Sequence, residues 1–70
     1  MVSITRYAVE TYIADGKTIS AVEPCETAHE AIERAKAWHR VGMKAIAVKT
    51  VIDLAFGTHY RTELIGGNEQ

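Results

Sequence analysis

One thiol, Cys25, and three imidazoles, His29, His39 and His59, are the side chains here best suited to bind a metal or attack a substrate. Cys25 stands just before a stretch with helical spacing, where a helix dipole lowers a thiol's pKa. Glu23 and Glu26 flank it and favour the neutral thiol. A zinc site wants paired ligands such as Cys-x2-Cys or His-x3-His in a closed tetrahedron. His29 and His39 are ten residues apart, which along a helix is ~15 Å, too far to share one ion. His59 and Glu63 share a strand face but lie ~13 Å apart along it. General acid–base chemistry needs such groups together in a concave pocket. Gly66-Gly67 opens no helix and so makes no phosphate-cradling loop. The expectation is a chain with no catalytic residue, no metal and no cofactor, and not an enzyme.

Composition narrows the partners. The chain has 70 residues, 47% hydrophobic and 24% charged, with eight Lys+Arg against nine Asp+Glu for a formal charge of −1. Domains usually hold ~100–200 residues, so a single domain over residues 1–65 is expected, followed by a flexible tail over 66–70. A near-neutral charge argues against a strong grip on nucleic acid or anionic lipid. Sheet-based RNA readers stack bases on exposed aromatics, yet the one Phe falls in a turn and the one Trp in a core stripe. No run approaches the ~18 apolar residues of a membrane span. Met1-Val2-Ser3 opens no signal peptide, and a lone cysteine excludes an internal disulfide framework, so a cytoplasmic location is expected.

The elements follow from periodicity. Residues 2–13 alternate as a strand, with Thr5, Tyr7, Val9, Thr11 and Ile13 on one face and Arg6, Ala8, Glu10 and Tyr12 on the other. Asp15-Gly16 marks a hairpin into a second strand over Lys17–Glu23, which Pro24 ends. Thr27-Ala28-His29-Glu30 is a capping box that starts a helix over Ala28–Arg40. Ala28, Ala31, Ile32, Ala35 and Trp38 form its apolar stripe, and Gly42 closes it in the left-handed conformation. Met43–Asp53 then reads as a central strand, and Thr58–Ile65 as a final strand after a turn at Leu54–Gly57.

The order β-β-α-β-β gives an α+β fold: a four-stranded antiparallel sheet, spatial order 2-1-3-4, with the helix packed on one face. The third strand alternates Ile46, Val48 and Ile52 against Ala45, Ala47, Lys49 and Val51, and the first set is expected to turn toward the helix. The outer face is then expected to carry Ile4, Arg6, Ala8, Glu10 and Tyr12, with Ala45, Ala47, Lys49 and Val51, and with His59, Arg61 and Glu63. Its centre at Ala8, Ala45, Ala47 and Val51 is apolar and ringed by charge, as protein interfaces are. A core this small gains from association. The expected function is a protein-interaction or homodimerising module that uses the open sheet face, its partner a second copy or another protein. The alternative is a small-ligand or nucleic-acid binder around Arg6, Lys49, His59 and Arg61.

The chain also resembles a group of short alphaproteobacterial ββαββ proteins, a domain of unknown function. The resemblance rests on Arg6-Tyr7-Ala8-Val9-Glu10-Thr11-Tyr12, on the helix from Thr27-Ala28-His29-Glu30-Ala31-Ile32-Glu33-Arg34-Ala35, and on Gly42-Met43-Lys44-Ala45-Ile46-Ala47-Val48. Asp, a Gly-containing turn and Glu63-Leu64-Ile65-Gly66 complete it. It covers most of the chain and departs in the short loop between the first two strands. What it implies is a bacterial protein with this fold and no catalytic residues.

Overall fold

The computed structural model describes residues 2–65; the tail expected over 66–70 lies outside the described residues. Its elements are β1 (Ser3–Tyr12), β2 (Ile19–Cys25), α1 (Ala28–Arg40), β3 (Ala45–Asp53) and β4 (Thr58–Ile65). The sheet order is β2-β1-β3-β4 with every neighbouring pair antiparallel, so the α+β architecture stands as the periodicity implies.

Local chemistry fixes each turn. Between β1 and β2, Asp15 accepts the backbone N–H groups of Lys17 at 2.8 Å and Thr18 at 2.9 Å, and Gly16 takes a φ of 71°. This Asx-type turn lengthens the loop, so β2 starts at Ile19 rather than Lys17. Ile13 falls in the same loop, outside the strand, and is exposed. Pro24 does not end β2 but lies inside it, opposite Ala8. A proline, with no N–H to donate, is tolerated there because β2 is an edge strand.

The helix begins and ends as its sequence requires. Thr27 Oγ1 accepts from the Glu30 amide at 3.0 Å. The Glu30 carboxylate returns to the amide of Glu26, at 2.9 Å, rather than to that of Thr27. At the other end Gly42, with a φ of 84°, and Met43 donate to the carbonyls of His39 and Trp38. That pair of bonds is a Schellman ending.

The core corrects the expected orientation of β3. Val9, Ala31, Ala35, Ala45 and Ala47 form the buried cluster, with Tyr7, Cys25, Ile32, Trp38, Leu64 and Ile65 packed against it. The register pairs Val9 with Ala47 and Thr11 with Ala45, so these alanines, and by alternation Lys49 and Val51, belong to the helix side of the sheet. Ile46, Val48, Thr50 and Ile52 therefore lie on the open face, with Glu10, Ala8, Arg6 and Ile4 opposite them. The physical reason is volume. The helix rests on the sheet through Ala31 and Ala35, and only small residues beneath leave room for that approach.

Ala47→Leu, which adds volume where the side chain is fully buried, should cost about 1–3 kcal/mol. Urea denaturation measures it. An unchanged midpoint would mean that the helix does not rest on Ala47.

Candidate functional site

The candidate surface is the sheet face opposite α1. On it β1 presents Ile4, Arg6, Ala8, Glu10 and Tyr12, and β4 presents His59, Arg61 and Glu63 opposite Ile52, Thr50 and Val48. Of the twelve residues expected on this face, Ile4, Arg6, Ala8, Glu10, Tyr12, His59, Arg61 and Glu63 lie there. Ala45, Ala47, Lys49 and Val51 lie on the helix side, because the register of β3 with β1 places them beside Thr11, Val9, Tyr7 and Thr5.

The face has two unlike halves. Over β3, Ile46 and Val48 are only 8% and 4% exposed although no helix covers them. Arg61 bridges to Glu10 at 2.5 Å and to Glu63 at 3.0 Å, and Tyr12 donates its hydroxyl to Glu10 at 3.1 Å. Glu10 stands on β1 and Arg61 on β4, so their bond crosses β3 and roofs the valine and isoleucine between. Burial of Arg61 works against its charge, but the hydrogen bonds it donates to Glu10 and Glu63 outweigh it and raise its pKa. Burial, and then the bond to Glu10, raises the pKa of Tyr12. The Lys44 ammonium caps the far end of this layer, 4.8 Å from the centre of the Tyr12 ring and 2.7 Å from the carbonyl of Gly16. These bonds make a polar layer over Ile46 and Val48.

The other half is open. Arg6, Ala8, Val22, Pro24 and Thr50 line a concavity of about 590 Å³ together with Thr5, Tyr7, Cys25 and Glu26. Val22 is 57% exposed beside it, and Ile4 is exposed on the adjoining stretch of β1. Ala8 forms a low floor. Arg6 makes no ion pair among the described residues. Sequence reasoning missed Val22, Pro24 and Thr50. Pro24 opposite Ala8 depends on β2 continuing through the proline, and Thr50 on the orientation of β3.

The four basic groups of the alternative reading are not gathered. Lys49 faces the helix side, opposite Tyr7 and Thr62, and Arg61 is held by two carboxylates. Among the described residues no three His, Cys, Asp or Glu side chains converge in a way that could hold a metal. His39 Nε2 lies 2.8 Å from the carbonyl of Ala45 and ties the helix to β3. No helix among the described residues is long and apolar enough to cross a membrane.

Cys25 is half-buried, its sulfur 3.7 Å from the carbonyl of Glu23. Burial, and then the charge of Glu30, pushes its thiol pKa up, against the helix dipole. Alkylation by iodoacetamide should therefore reach half its maximal rate at a higher pH than for free cysteine. A midpoint below that of free cysteine would show an activated thiol and reverse this assignment.

No protein-family model, curated protein or solved structure matches this chain.

Proposed function

We propose that this chain is a non-enzymatic protein-interaction module that works as an assembly of copies and receives a protein partner on the open half of its sheet face. The concavity between Arg6, Ala8, Val22 and Pro24 carries the reading. It combines apolar lining at Ala8 and Pro24, an exposed valine and a guanidinium with no ion pair among the described residues, and interfaces favour such apolar centres with arginine beside them. The small side chain of Ala8 lets a partner's backbone come close. The polar roof over Ile46 and Val48 is bonded within the chain through Glu10, Arg61, Glu63 and Tyr12, whereas Arg6 in the neighbouring half makes no ion pair among the described residues, which supports that half as the partner's surface.

Self-association has its own support. Val9 is the one large side chain among the described residues that is wholly withdrawn from solvent. A core built mainly on alanines gives a small domain little margin, and assembly of copies adds to it. A cytoplasmic, bacterial setting belongs to the same proposal. It is supported by the single cysteine and by the resemblance to the alphaproteobacterial ββαββ proteins.

Two measurements test this. Sedimentation at micromolar concentration should show a dimer, and a strict monomer would remove the assembly of copies. A photo-crosslinking residue at Ala8 should trap a protein in cells that make this chain, and the same group at His29, exposed on α1, should not. Equal trapping at both positions, or none at Ala8, would overturn the assignment of the open face.

A further inference from the structure

The sheet has two edges, and they are not equally protected. β2 carries Pro24, and its pairing with β1 slips at Thr11/Tyr12, both of which blunt an edge against further pairing. β4 has neither device along most of its length. Thr58 to Glu63 is an exposed, regularly paired run without Pro, Gly or Lys. Its one irregularity is the extra residue Leu64, which has no partner on β3. A free row of backbone donors and acceptors over six exposed residues is a template for another strand.

The sequence of this edge is complementary to itself in one register. Two copies related by a two-fold axis perpendicular to the sheet pair antiparallel about a residue that meets its own copy. Centred on Thr62, Thr62 faces Thr62, Arg61 faces Glu63 of the second copy, and Glu63 faces Arg61. Tyr60, 57% exposed, comes beside Leu64 on the helix side. Centring on Arg61 sets two guanidiniums against each other, and centring on Glu63 sets two carboxylates together. Centring on Tyr60 puts His59 against Arg61. Thr–Thr and opposite-charge pairs are the favourable cross-strand combinations, and the Thr62 register supplies both. Arg61 keeps its bond to Glu10 in this arrangement, because a guanidinium has five N–H donors.

From this we propose that two copies of the chain join through β4, antiparallel about Thr62, into one continuous eight-stranded sheet. The inference rests on the reading of the chain as a self-assembling module and adds the edge that makes the joint. Its symmetry puts both helices on one side and both open faces on the other. The concavities at Arg6 and Val22 then sit at the two far ends of a doubled surface, free for partners.

Thr62→Cys in a Cys25→Ser background tests the joint. Opposed residues of an antiparallel pair have Cα atoms about 4.5 or 5.5 Å apart, within disulfide reach. Under diamide the variant should form a covalent dimer, while Ala21→Cys on β2 in the same background should stay uncrosslinked. Glu63→Arg, a change at an exposed site, turns two cross-strand pairs repulsive and should weaken the dimer about tenfold by sedimentation. A dimer that crosslinks no better at Thr62 than at Ala21, and is indifferent to Glu63→Arg, would overturn the β4 joint and leave self-assembly standing. A chain that stays monomeric in sedimentation and uncrosslinked at Thr62 would overturn both.

Discussion

The close contact of one helix with one sheet through small side chains is the constraint on which this molecule depends. Ala31 and Ala35 on α1 meet Ala45 and Ala47 on β3, all four wholly withdrawn from solvent. Larger residues at these positions would hold the helix off the sheet. Because β-strand side chains alternate, giving alanines to the helix obliges β3 to turn Ile46, Val48 and Ile52 the other way. The chain therefore has apolar bulk on the face that α1 cannot reach. The polar roof of Glu10, Arg61, Glu63 and Tyr12 is the response. It buries Ile46 and Val48 without a second layer of secondary structure, and long arginine and glutamate side chains are suited to that because their methylene stems cover apolar surface.

Much of this fold can be read in the residues. The Thr27 cap, the helical stripe from Ala28 to Trp38 and the Gly42-Met43 ending each have one local solution, and the structure adopts it. The strand order follows from chain order and crossover handedness. Two features were hidden. The first was β2 running through Pro24, because proline breaks a ladder only where its missing N–H is needed, and at an edge it is not. The second was the orientation of β3. Both of its faces are apolar, so alternation alone leaves the choice open. The complement on α1 decides it, since a helix that brings two alanines to the contact asks for small residues beneath them.

That single inversion reorganises the candidate surface. With Ala45 and Ala47 in the core, the centre of the open face moves from β3 to the β1–β2 side, at Ala8, Val22 and Pro24. With Lys49 on the helix side, the basic residues no longer form one patch. The face divides into a roof bonded from within and a concavity that nothing among the described residues fills, and β4 beyond the roof is an edge of the same sheet. A small domain with one rigid layer contact can then offer two independent places for association.

Nuclear Overhauser contacts between methyl groups in solution test the orientation of β3 most directly. The account predicts strong contacts from the Ala45 and Ala47 methyls to Ala31 and Ala35, and none from Val48 to any residue of α1. Contacts from Ile46 or Val48 to Ala31, Ala35 or Trp38 would contradict it, and with it the position of the open concavity.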